Sequence, residues 1–127
     1  MCGIFAYIYK VKSDGDHNGY YNDALIQGFN RINKRGPDNT ECRLENNVFL
    51  GFHRLSINDI SSAGNQPMAL NDYYLICNGE IFNHEKIIQE YNFTTNSKSD
   101  CEVILHLYNY LINKIGQENE NPYNDVM

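Results

Sequence analysis

The spacing of apolar positions changes along this 127-residue chain, and each change predicts an element. Residues 2–11 carry an unbroken apolar run, Ile4, Phe5, Ala6, Tyr7, Ile8 and Tyr9. Its length and β-forming composition predict a central strand covered on both faces. Residues 13–19 are polar with two glycines and predict a loop. Ala24, Leu25, Gly28, Phe29 and Ile32 then fall near helical spacing and predict an amphipathic helix. Arg35-Gly36-Pro37-Asp38 must be irregular, because Pro37 disfavours helix at the preceding residue and Gly36 permits the turn. Residues 40–44 and 48–52 predict two strands joined through Asn46-Asn47, a pair that tolerates the positive φ of a tight hairpin. Residues 61–67 predict a loop, 73–77 a strand stopped by Asn78-Gly79, and 81–91 a helix with Ile87, Ile88 and Tyr91 on one side. The strongest stripe, Val103, Ile104, Leu107, Tyr108, Leu111 and Ile112, predicts a helix over 100–115, capped by Ser99 or Asp100 with Glu102 in its first turn. Residues 116–127 are polar and Asn-rich and predict a disordered tail.

Strands alternating with helices, then a helix-rich end, predict one α+β domain. The 42% hydrophobic content of a chain this short supports one core. A net charge of −6 without any run of Lys or Arg argues against nucleic acid or an acidic membrane as partner and favours a small one. No stretch approaches the roughly 20 apolar residues of a membrane span, and no secretory signal opens the chain, so a cytoplasmic protein is expected. Cys2, Cys42, Cys77 and Cys101 are scattered and are expected as reduced thiols, Cys42, Cys77 and Cys101 inert in apolar or helical surroundings. His17, His53, His84 and His106 are equally dispersed, so no metal is expected.

Cys2 is the chemical exception. Removal of Met1 would place its thiol on the N-terminal residue, beside an α-amino group whose ordinary pKa of about 7.7–8.0 leaves part of it unprotonated near neutrality. One residue would then hold both a nucleophile and its base. On position alone, Cys2 could equally be a small hydrophobe opening a strand.

Five segments decide between these readings. MCGIF at the start, RGPD at Arg35 to Asp38, HRLSIND at His53 to Asp59 with GNQP at Gly64 to Pro67, NGEIFN at Asn78 to Asn83 and SDCEVIL at Ser99 to Leu105 occur in that order. Together they resemble the glutaminase domain of the class II glutamine amidotransferases, most closely the asparagine synthetase type. The resemblance covers almost every segment from Cys2 to about Tyr108. Arg54-Leu55-Ser56-Ile57 and Pro37 separate the chain from the glucosamine-phosphate-forming and phosphoribosylamine-forming branches.

The resemblance implies an Ntn-hydrolase-like αββα sandwich of antiparallel sheets whose first strand begins with the nucleophile. It implies that Cys2 attacks the side-chain amide of glutamine and that the thioester is hydrolysed to glutamate. Asn78 and the Gly79 N–H would form the oxyanion hole, Gly79 letting the backbone approach closely and Asn78 donating without competing for the proton. Arg54 would take the glutamine carboxylate in its planar fork, Asp100 and Glu80 would face the ammonium, and backbone groups of Leu55, Ser56, Ile57 and Asn58 would complete the pocket. His53 is assigned no catalysis. Taken singly, Asn78-Gly79 is a favoured turn pair, Arg54 and Asp100 are types mostly found at surfaces, and Asp100 is also a candidate helix cap.

Residues 1–115 would make a partial glutamine amidotransferase domain, incomplete at the C-terminal end, where the family adds strands and then a synthetase domain. ATP and magnesium would belong to that absent domain, and no cofactor is expected here. A separate synthetase chain or self-association are the protein partners considered beside glutamine. The alternative is an inactive fragment or regulatory pseudo-module.

Overall fold

The structure is a computed structural model and describes residues 1–9 and 23–119. The expected loop at 13–19 and the end of the first predicted strand lie outside the described residues, as do 120–127.

Strands β1 (Gly3–Ile8), β2 (Asn39–Glu45) and β3 (Val48–Arg54) form an antiparallel sheet in the order β1-β3-β2. The β2–β3 hairpin turns on Asn46, whose φ of 50° is the left-handed conformation that asparagine tolerates better than branched residues. Its register pairs Thr40 with His53 and Asn39 with Arg54. A second, two-stranded antiparallel sheet joins β4 (Met68–Leu70) to β5 (Tyr73–Leu75), with Asn71 at φ 54° in its turn.

Helix α1 (Asp23–Asn30) lays Leu25 and Phe29 onto the first sheet, where Phe29, Phe49 and Phe5 meet at centroid distances of 5.8–6.0 Å. Gly51 is required at this contact, because a Cβ there would lie 2.5 Å from the Phe29 ring. The period of two along β3 turns Phe49, Gly51 and His53 toward α1, and Leu50, Phe52 and Arg54 toward the other face. Helix α3 (Glu102–Asn119) packs on β4 and β5 and is touched by α2 (His84–Tyr91), and Leu50 of β3 shares a cavity lining with Tyr73, Leu75 and Ile104. The result is α+β with antiparallel sheets.

Three expectations change. β1 is an edge strand, not a buried central one: among the described residues it pairs only with β3, and Ile4, Tyr7 and Ile8 are exposed, Ile8 at 71%. An apolar run states what a strand could bury, not what is placed against it. The central strand is β3, whose run is interrupted by Gly51 and ends in two polar residues. Helix α3 continues through Asn119, so the first four residues of the expected tail are helical, Gly116 among them. Strand β5 stops at Leu75, leaving Ile76 to Gly79 irregular.

Candidate active site

Cys2 precedes β1 directly, and its atoms are held from three directions. Its backbone N–H donates to Asn78 Oδ1 at 2.9 Å, and its carbonyl accepts from Arg35 Nε at 3.1 Å. Its Sγ lies between the backbone N–H of Leu55, at 3.3 Å, and the carbonyl of Leu55, at 3.5 Å. These contacts join the start of β1, the segment after β3 and the segment after β5. They form because β1 and β3 run in register up to Gly3 opposite His53, which brings Cys2 beside Leu55. Gly36 is needed for the same convergence: a Cβ there would fall 2.0 Å from the carbonyl oxygen of His53.

The irregular stretch Ile76 to Gly79 is fixed by Gln66. Its side chain is buried and pairs with both backbone groups of Cys77, donating from Nε2 to the carbonyl at 3.2 Å and accepting the N–H at Oε1 at 2.5 Å. One side chain thus stands in for a strand partner immediately before Asn78 and Gly79. Both of those residues are exposed and line one cavity. With Oδ1 of Asn78 occupied by Cys2, its amide nitrogen is the end left to donate outward.

That cavity, about 350 Å³, is lined by Cys2, Arg54, Asn78, Gly79, Glu80 and Asp100, and also by Leu55, Ile57 and Asn58. Ser56 is the one predicted substrate-binding residue off its wall; its N–H donates to Asp38 Oδ2 at 2.7 Å. Arg54 is buried and partly committed. Its Nη1 donates to the carbonyl of Ser61 and to Asn65 Oδ1, both at 2.6 Å, and its Nη2 donates to the carbonyl of Asp59. These bonds take both Nη1 hydrogens and one of the two on Nη2, fixing the guanidinium on the cavity wall that Arg54 lines.

Asp100 is buried, with Oδ1 accepting from Asn58 Nδ2 at 3.3 Å and Oδ2 from the N–H of Ile81 at 2.6 Å. Both oxygens bond to irregular segments distant in the chain, so the helix-cap reading is replaced by a bracing one. The start of α3 is secured instead by Glu102, which accepts the N–H groups of Asn96 and Ser97 at 2.8 Å and the Ser97 hydroxyl at 2.5 Å. Burial pushes its carboxyl up, but these bonds outweigh burial and leave it below the usual range.

His53 stacks on Phe29 at 4.1 Å and pairs with the Phe29 carbonyl and the Thr40 hydroxyl, contacts that seat it in the core. Cys42 departs from the expected apolar setting, since it is exposed on β2. Cys101 is buried, and burial first, then neighbouring Cys77, pushes its thiol far above the ordinary value. Gln66 and Asp59 lie within GNQP and HRLSIND, but the motifs alone assign neither a task, because their partners Cys77 and Lys98 are distant in the chain. Among the described residues no group of three or more His, Cys, Asp or Glu could hold a metal. No helix among them is long and apolar enough to cross a membrane.

A family model described as a glutamine amidotransferase domain matches residues 1–120. The chain is 36% identical over 116 residues to a probable asparagine synthetase [glutamine-hydrolyzing] of Acanthamoeba polyphaga mimivirus, covering 86% of this chain and 20% of that protein. It is 37% identical over 113 residues to asparagine synthetase [glutamine-hydrolyzing] 1 of Saccharomyces cerevisiae, covering 85% and 18%. It is 43% identical over 86 residues to asparagine synthetase [glutamine-hydrolyzing] of Homo sapiens, covering 61% and 15%. The chain therefore spans about a fifth or less of the length of these relatives.

Proposed function

This chain belongs to the glutamine amidotransferase domain family, and from that premise we propose that it is the glutaminase half of an asparagine synthetase, releasing ammonia from glutamine through a thioester on Cys2. The observation that carries the proposal is the pairing of Cys2 with Asn78 across 76 residues, beside a cavity that also holds Arg54 and Asp100.

Loss of Met1 turns the Cys2 N–H into an amine. Asn78 Oδ1 then holds that amine near its own Sγ. The thiol proton passes to the amine, through a water, as Sγ bonds to the amide carbon of glutamine. The carbonyl electrons move onto oxygen, where the Asn78 amide nitrogen and the Gly79 N–H receive the charge. Collapse of that intermediate breaks the C–N bond, and the amine returns the proton to the departing ammonia. Water then cleaves the thioester, giving glutamate and restoring the thiol.

Arg54 fixes the substrate carboxylate by a forked contact that a lysine cannot reproduce. Asp100 and Glu80 face the ammonium, and the backbone from Leu55 to Asn58, Ser56 and Ile57 included, shapes the remaining wall. The order α1, first sheet, second sheet, α3 supports an Ntn-type αββα sandwich with an N-terminal nucleophile. Residues 1–115 hold the assigned site. ATP, magnesium and aspartate chemistry would belong to a synthetase part, in the same or a separate chain, receiving the ammonia. A cytoplasmic setting would keep the four unpaired thiols reduced. The reading is tested by glutamate and ammonia production from glutamine by processed chain and by its Cys2→Ala variant, which should have no turnover. Equal turnover by the two would overturn it.

A further inference from the structure

We propose that Asp59, which stands outside the set assigned to contact glutamine, is a positioning residue that locks the carboxylate-binding and ammonium-binding ends of the pocket to each other. The inference rests on the glutaminase reading for the identity of the ligand.

Asp59 is buried between the segment that follows β3 and the segment that precedes α3. Its Oδ1 accepts the N–H of Ser61 at 2.7 Å and its Oδ2 accepts the N–H of Lys98 at 2.7 Å. Its own carbonyl accepts from Arg54 Nη2, and Ser61, which it holds, offers its carbonyl to Arg54 Nη1. Lys98 stands two residues before Asp100, and Asn58, adjacent to Asp59, donates to Asp100. One carboxylate thus sets the acceptors that aim Arg54 and the backbone that carries Asp100.

The cluster has little room to relax. A Cβ on buried Gly64 would lie 2.4 Å from Arg54 Nη2 and 3.1 Å from the Asp59 Cβ. The chemistry also requires a carboxylate, since both oxygens face N–H donors. An asparagine would turn its NH₂ toward one of them and release one loop. Hydrogen bonds from the Ser61 hydroxyl, then from the N–H groups of Lys98 and Ser61, hold the Asp59 carboxyl ionised, with a pKa of about 2.

The test reads binding apart from chemistry. In the Cys2→Ala chain, calorimetry with glutamine should show Asp59→Asn raising Kd about tenfold, equivalent to about 1.4 kcal/mol. Ser61→Ala, a milder change that removes only the hydroxyl, should raise Kd about two- to fourfold. In processed chain with Cys2 intact, Asp59→Asn should raise KM by the same factor while kcat stays within about threefold, as expected for loss of a contact shared by ground and transition states. Unchanged Kd in both variants, or a fall in kcat with KM unchanged, would overturn the proposal. Normal glutamine binding by a chain that never releases ammonia would sink the glutaminase reading, and the Kd comparison would still decide the role of Asp59.

Discussion

The pocket end of the molecule and its outer faces invert the usual distribution of polarity. Around the pocket Arg54, Asp59, Gln66 and Asp100 are buried, and each spends its polar atoms on named backbone or side-chain partners. On the outer faces large apolar side chains stand in the open, Ile4, Tyr7 and Ile8 on β1 and Tyr110, Leu111, Ile112 and Ile115 on α3. Buried polar groups cost stability unless fully satisfied, so a satisfied network this dense fixes geometry. Open apolar faces fix nothing by themselves and favour association. Apolar exposure is not confined to those faces, since Ile57 on the pocket wall, Ile60 and Phe82 are exposed too, but substitutions in the buried polar network and on the β1 and α3 faces should separate into different measurements.

The largest effect beyond the nucleophile itself is expected at the oxyanion position. Asn78→Ala should lower kcat by about 10²–10³-fold, the usual loss for one such donor, with a smaller change in KM. An unchanged kcat would remove Asn78 from that role. Next comes Arg54→Ala, expected to raise KM by about tenfold or more while kcat changes less; Arg54→Lys should recover only part of the loss, because a point charge replaces a fork. Alkylation of the nucleophile by electrophilic glutamine analogues sharpens the same end: Cys42→Ala and Cys101→Ala chains should be labelled like the parent.

At the other end, Ile8→Lys combined with Ile112→Lys should leave kcat/KM within about twofold and stability within about 0.5 kcal/mol per site, as for surface changes. Concentration-dependent association in sedimentation should fall. Loss of turnover with unchanged association would break the division between the two ends.

The smallest effect concerns acid. Asp59 has a folded pKa of about 2, below the ordinary carboxylate value of about 3.9, so its contribution to stability is full above that ordinary value and is lost as pH falls toward 2. Thermal unfolding followed from pH 5 downward should show Asp59→Asn with a shallower acid limb than the parent. Parallel limbs would mean that Asp59 titrates alike in folded and unfolded chains.

Elements whose cause is local were legible in the sequence. Asn46 gave the β2–β3 hairpin, the apolar stripe gave α3, and the ordered motifs brought together every predicted site residue except Ser56 on one cavity wall. What escaped depends on distant partners. β1 reads as central because a run of apolar residues carries no information about which neighbour pairs with it. β4 is three residues long and follows Pro67 directly, too short for a period to register. The tasks of Gln66 and Asp59 are set by Cys77 and Lys98, and no spacing within GNQP or HRLSIND announces either partner.

Whether Cys2 acts with its own amine is decided by intact mass read together with ammonia release on one purified sample. Turnover of glutamine should scale with the fraction of chain that has lost Met1, because a retained Met1 makes the catalytic nitrogen an amide with no basic lone pair. A sample that retains Met1 throughout and still releases ammonia at the rate of processed chain would contradict the account.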